Sequence, residues 1–294
     1  MVSYKRQFQL FLCFSIRNQV ERVLSVGNFL GFLEFLIACN LSPRAVLNYA
    51  SAIKSYVSLY QLPKEWLSNS MISNYLRAIH IQITHVKRPK ETLTMQELGR
   101  VSRVLDRFDN PLVYRSAILL SFFGFLRISN LVAPTQGAFD CTRQLCRQDV
   151  TFCDGFVKLH PRWAKNLQKS DQDHIVYLPR MEDSYVCPYV TLSHLFALQH
   201  YCAQDPVIKF HKLHVIESQL RRRWSLALKL LNMPVQALTY HSLRRSGASL
   251  AFNNNVSFES IKQQGAWQSD AIWQYLFTNS HKAKEIANMF RRLQ

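Results

Sequence analysis

What this chain lacks narrows it first. Glycine and proline are scarce, eight and ten in 294 residues, which excludes a collagenous or low-complexity chain. The longest apolar run, Ser116 to Leu126, falls well short of the ~20 residues that a spanning helix needs, so no membrane partner is expected. Lys5 and Arg6 precede an apolar stretch with no small-residue cleavage site, so no signal peptide is read. The seven cysteines are odd in number and show neither a C-x-x-C pair nor cysteine–histidine metal spacing. Reduced, buried thiols in a soluble intracellular protein are the expectation. The ten histidines form no HExxH set, so neither metal nor cofactor is expected. Acidic residues are also few: 19 against 36 lysines and arginines, a net charge of +17 with a pI near 9.8. That excess points to a polyanion, with nucleic acid ahead of an anionic membrane.

What is present is apolar and periodic. Hydrophobic residues make up 48% of the chain, enough for a packed globule. Residues 1–88 read as a helical unit. Its clearest helix has Ser42 as cap, Pro43 in first position and Val46, Tyr49, Ala50, Ile53, Val57 and Tyr60 along one face. Stretches at Tyr4–Phe14, Val20–Ala38 and Ser68–Ile83 are helical as well. Residues 1–90 hold 11 lysines and arginines against three acids, as expected of a DNA-gripping module. The basic, proline-containing stretch His85–Thr92 marks the boundary with a second domain, 89–294. There Thr94 and Glu97 form a capping box, and Asn110-Pro111 opens a helix running to Arg127. Val150–Cys153 and Phe156–Leu159 flank Asp154-Gly155, a hairpin turn. A third strand at Ile175–Leu178 follows the polar segment that carries Lys165 and Lys169. Helices are read at Val186–Cys202 and Ser218–Leu231, with Arg221 to Arg223 a solvated or phosphate-facing run.

The stretch Thr239 to Tyr275 carries the chemistry. His241 and Arg244 stand three apart, which places them on one helical face. Arginine offers a rigid fork matched to phosphate oxygens, and histidine can move a proton near neutral pH. Tyr275, ten residues after Gly265 and eight after Trp267, supplies an oxygen able to attack a phosphate.

In order and spacing this stretch resembles the C-terminal box of the tyrosine recombinase, or phage integrase, family. HSLRRSGASLAF followed by GAWQSDAIWQY looks closest to recombinases of eukaryotic mobile elements. GFLRISNL, around Arg127, resembles the family's first-arginine box, with Asn130 where an acid is usual. WAKNLQ resembles the setting of the family's hairpin-loop lysine, and Lys165 is preferred over Lys169. The family's histidine or tryptophan follows the glycine directly, whereas here Ala266 intervenes before Trp267.

The resemblance implies a mainly α fold with a small α+β element. A SAM-like helical core-binding domain would precede a mostly helical catalytic domain holding a three-stranded antiparallel sheet. It implies an enzyme that cuts and rejoins double-stranded DNA through a 3′-phosphotyrosine, needs no cofactor, and assembles as dimers or tetramers on DNA. Arg127, Lys165, His241, Arg244, Trp267 and Tyr275 would carry the reaction. The amphipathic tail His281–Arg292 would dock on a neighbouring subunit or on its own domain. The location would be nuclear in a eukaryote and cytoplasmic otherwise. Two other readings remain open: a catalytically impaired DNA-binding protein derived from a mobile-element recombinase, and a relative of type IB topoisomerases.

Overall fold

Buried apolar side chains gather in separate clusters, and the chain divides into two compact units, Met1–Lys87 and Arg88–Gln294. The computed structural model describes residues 2–82, 91–163, 174–269, 272, 273 and 276. Lys165, Lys169, Tyr275, most of the stretch His85–Thr92 and the tail His281–Arg292 lie outside the described residues.

The first unit is helical throughout: α1 (Val2–Arg17), α2 (Val26–Ala38), α3 (Pro43–Leu59) and α4 (Ser70–Gln82), with a short 3-10 turn at Glu65–Ser68. Helix α2 starts at Val26, later than the periodicity alone suggests. Ser25 is in extended geometry, and its hydroxyl accepts the Asn28 N–H at 3.3 Å. Ser42 caps α3 in the same way through Ala45, with Pro43 in the first turn. Phe11, Phe29, Phe32, Leu33, Ile53 and Val57 are fully buried between the helices. Each such side chain contributes roughly 1.5–3 kcal/mol. Asn28, buried among them, donates to the Ser15 hydroxyl at 2.8 Å and to the Val23 carbonyl at 2.7 Å, so both N–H groups of its amide have partners.

The second unit opens with α5 (Met95–Val104), whose capping box between Thr94 and Glu97 is formed in both directions. Helix α6 (Pro111–Phe123) is apolar on nearly every side and is buried accordingly, including Ile118, Leu119, Leu120 and Phe122. A one-turn helix, α7 (Ile128–Leu131), follows Arg127. Strands β1 (Val150–Cys153), β2 (Phe156–Leu159) and β3 (Val176–Pro179) form an antiparallel sheet in sequence order. The β1–β2 turn has Gly155 at φ +73°, the left-handed geometry that a two-residue hairpin needs. Then come α8 (Pro188–Leu198), a small hairpin of β4 (Lys209–Phe210) and β5 (Leu213–His214), α9 (Glu217–Leu230), α10 (Ser242–Asn253) and α11 (Phe258–Gln264). The two-residue strands β4 and β5 are too short to leave a period in the sequence. Helix α8 ends at Leu198, short of Cys202, where extended Gln199 begins the turn to Tyr201. The architecture is mainly α with a small three-stranded antiparallel sheet. Among the described residues, no helix is long and apolar enough to cross a membrane.

Helices α6 and α10 meet backbone to backbone at Gly247. A Cβ there would fall 1.9 Å from the Phe122 carbonyl oxygen and 2.8 Å from the Phe125 ring. Nearby, the Tyr240 hydroxyl donates to the Ala117 carbonyl at 3.0 Å and accepts from the Ser121 hydroxyl at 3.1 Å. The Ser246 hydroxyl accepts the Leu93 N–H at 2.7 Å. These contacts set the start of α10 against the end of α6. Gly247→Ala is therefore expected to destabilise the fold by about 1–3 kcal/mol through overpacking. At ~2–4 °C per kcal/mol for a domain of this size, calorimetry should show a fall of several degrees. An unchanged midpoint would mean that the two helices can part without penalty.

Candidate active site

Arg244 lies in the first turn of α10 and is 2% exposed. A buried guanidinium is costly unless its N–H groups find acceptors. One terminal nitrogen donates to the Phe125 carbonyl and the other to the Gly265 carbonyl at 2.7 Å. Both carbonyls come from helix C-termini, which carry unsatisfied oxygens and partial negative charge. Gly124 is the C-cap of α6 and Gly265 that of α11. Each is followed by a residue in left-handed geometry, Phe125 at φ +48° and Ala266 at φ +50°. Two helix ends are thus turned so that their carbonyls meet one cation.

The same turn places Trp267. The Trp267 N–H donates to the Lys262 carbonyl at 2.9 Å and the Ala266 N–H to the Gln263 carbonyl at 3.1 Å, the paired bonds of a Schellman cap. Trp267 is thereby folded back over Gly265, where a Cβ would fall 1.8 Å from the indole. The Arg244 guanidinium carbon stands 3.8 Å from the indole centroid, a cation–π contact, and the Phe125 ring packs beside it at 6.1 Å. The extra residue between Gly265 and Trp267 is absorbed by the left-handed Ala266, and the indole still reaches the arginine.

Arg127 precedes α7 and is half-buried. Its backbone N–H donates to Asn130 Oδ1 at 3.1 Å, and Asn130 Nδ2 donates to the Trp163 carbonyl at 2.7 Å. Arg127, Asn130, Trp163, His174, Arg244 and Gly265 are among the residues lining one small cavity. Nothing in the immediate sequence neighbours of His174 marks it as a cavity residue. Its Nε2 lies 3.0 and 3.1 Å from the Gln263 and Gln264 carbonyls, which can only accept. Nε2 therefore carries the proton, and burial lowers the pKa of the ring.

His241 immediately precedes α10. Burial, then Arg244, Arg245, Arg127 and Arg221, push its pKa down to about 4. The imidazole is neutral at pH 7 and able to accept a proton. Tyr240, the other tyrosine in this segment, is locked in the core by its bonds to Ala117 and Ser121, and burial raises its pKa. It is unavailable as a nucleophile. Four of the six residues singled out by sequence, Arg127, His241, Arg244 and Trp267, thus share one neighbourhood. Lys165 and Tyr275 lie outside the described residues.

No protein-family model matches the chain, and no curated protein sequence matches it either. Solved structures do match. A site-specific recombinase, XerH, bound to palindromic difH substrate in a post-cleavage complex, matches over 97% of this chain and 77% of its own, with a TM-score of 0.65 at 16% identity. The Tn1549 transposon integrase with circular-intermediate DNA matches over 98% and 91%, at 0.64 and 12%. A lambda integrase dimer on a COC′ core site matches over 93% and 70%, at 0.59 and 14%. The fold is that of the tyrosine recombinases and integrases; at these identities the likeness is one of fold.

The depressed His241 has a measurable consequence. Between pH ~6.5 and about 4 the unfolded chain takes up a proton at this position and the folded chain does not. Stability therefore falls as pH drops through that window. His174 acts in the same direction but is common to wild type and variant. Urea unfolding at about pH 7.5 and about pH 5 should show a smaller acid-induced loss in His241→Gln than in wild type. Equal losses would mean that His241 titrates normally in the folded protein.

Proposed function

We propose that this protein is a site-specific DNA recombinase or integrase that cuts and rejoins double-stranded DNA through a 3′-phosphotyrosine. One observation carries the reading: two arginines from separate elements, Arg127 and Arg244, line one cavity, with a neutral His241 in their field. The recombinase fold and the net charge of +17 support it.

In the proposed reaction the Tyr275 oxygen attacks the scissile phosphorus, and the bond to the 5′-oxygen breaks. Arg127 and Arg244 bind the non-bridging oxygens and stabilise the charge that develops on them. His241 assists proton transfer from the phenol, which by itself ionises only near pH ~10. Lys165 gives a proton to the departing 5′-oxygen. Trp267 backs Arg244 from below and holds its plane. The tyrosyl ester keeps the energy of the broken bond, so a 5′-hydroxyl from another strand can reverse the step without a nucleotide cofactor. The basic N-terminal unit, 1–88, grips the duplex, and residues 89–294 form the catalytic domain. Lambda integrase has been seen as a dimer on a core site and as a tetramer on a Holliday junction. Self-association on DNA is proposed here too, with the tail His281–Arg292 as the docking segment. The wording of the His241–Tyr275 segment further suggests descent from a eukaryotic mobile element.

The experiment is capture of covalent protein–DNA adducts on nicked duplexes drawn from a random pool. Arg127→Ala should lower the yield about 100-fold or more while duplex affinity stays within about threefold, because affinity rests on many phosphate contacts. No adduct from wild type that binds the same duplexes would favour the catalytically impaired DNA-binding alternative. Exchange between two duplexes, rather than relaxation of supercoils alone, separates a recombinase from a topoisomerase.

A further inference from the structure

Trp163 lines the cavity, and several bonds fix its place there. The chain after β2 is pinned to Asp149 twice: the His160 N–H donates to the Asp149 carbonyl at 2.9 Å, and Arg162 Nε donates to Asp149 Oδ1 at 2.6 Å. Asp149 is buried, and its other carboxylate oxygen accepts the Cys146 N–H at 2.8 Å. Asn130 then holds the Trp163 carbonyl at 2.7 Å, and the Arg143 guanidinium stands 5.9 Å from the indole centroid.

One atom of this residue lacks a role. Trp163 Nε1 is buried and has no acceptor among the described residues. An indole N–H can only donate, and a buried donor without an acceptor is costly. Whatever satisfies it must bring a lone pair. The cavity measures about 10 Å³, room for one water-sized group. Arg127 and Arg244 line it, and no acid is among the described lining residues. That charge favours the oxygen of an anion over a neutral acceptor. Trp267 packs under Arg244 and is not among the described lining residues, so the indole on this space is that of Trp163. His174 Nδ1 is also buried and without a partner among the described residues. A water donating to Nδ1 and accepting from Trp163 is therefore the competing occupant.

We infer that Trp163 is a phosphate-binding residue, its indole N–H donating to one non-bridging oxygen of the scissile phosphate. The inference rests on the recombinase reading and adds to it a residue that the sequence did not single out. The space admits a single oxygen, so the contact tells the two non-bridging oxygens apart. As charge grows on the bound oxygen in the transition state, the bond to the N–H strengthens. Trp163→Phe keeps an aromatic ring and the backbone carbonyl that Asn130 holds, and loses only the donor.

The test uses one nicked duplex, which the protein binds, in three forms. One has the ordinary scissile phosphate; in the others sulfur replaces one or the other non-bridging oxygen. Sulfur is larger than oxygen and a weaker acceptor. Wild type should form the covalent adduct about tenfold faster with one sulfur isomer than with the other, since only one puts sulfur at Trp163. Trp163→Phe should slow the ordinary duplex and the favoured isomer about 100-fold, the size of one lost oxyanion donor. It should slow the disfavoured isomer only about tenfold, so that the preference between isomers nearly vanishes. Duplex affinity should stay within about threefold, because it rests on many phosphate contacts. Partial misfolding, or loss of a bridging water, would slow all three forms alike. Equal slowing on the three, wild-type rates on the ordinary duplex, or no isomer preference in wild type would overturn the inference. Wild type that forms no adduct with any of the three would instead overturn the recombinase reading.

Discussion

The second unit depends on one buried cation. Arg244 is almost wholly removed from water, and an unmatched charge there would cost several kcal/mol. Carbonyls at the ends of α6 and α11 match it, and each is aimed by a residue in a backbone region that side chains other than glycine's seldom occupy. Phe125 is the more demanding case, since left-handed geometry at a bulky residue must be held by its surroundings. Its ring is held against Trp267, and Trp267 lies under Arg244. The requirements close on one another. Gly247 brings α10 onto α6, Gly265 makes room for the indole, and the indole backs the guanidinium. A change at any of these positions moves the arginine.

That arrangement also sets the electrostatics. Burial, and then the arginines gathered around it, keep His241 unprotonated, so fixed positive charge stands near a neutral base. A site that is to receive a phosphodiester and accept a phenolic proton needs this division of labour: charge that cannot titrate, and a base that is not already occupied. An incoming phosphate would offset the repulsion that depresses His241 and raise its proton affinity as the proton becomes available.

Local signals in the sequence were strong where a side chain acts on its own backbone. The Thr94–Glu97 box, the Ser42-Pro43 start and the Asp154-Gly155 turn each specify a structure within a few residues, and each is found. His241 and Arg244 were legible through their spacing and through family likeness. What was not legible comes from distant pairings. Nothing near Phe125 or Ala266 announces left-handed backbone, because the reason for it is Arg244, far along the chain in both cases. Trp163 and His174 join the cavity only once the segment after β2 and the approach to β3 are set against α7 and α11. Asn130 looked like the loss of an acid; its second bond, to Trp163, shows that the amide has a use of its own. Tyr240 lies next to His241 in sequence yet is turned into the core.

The most direct measurement is the identity of the residue left on DNA. Wild-type protein is trapped on a nicked duplex, digested with protease and nuclease, and the nucleotide-bearing peptide is sequenced by mass spectrometry. The result expected is a single peptide spanning Tyr275, joined through the phenolic oxygen to a 3′-phosphate. A nucleotide on a serine, a histidine or any other tyrosine, or a linkage to a 5′-phosphate, would contradict the proposed chemistry.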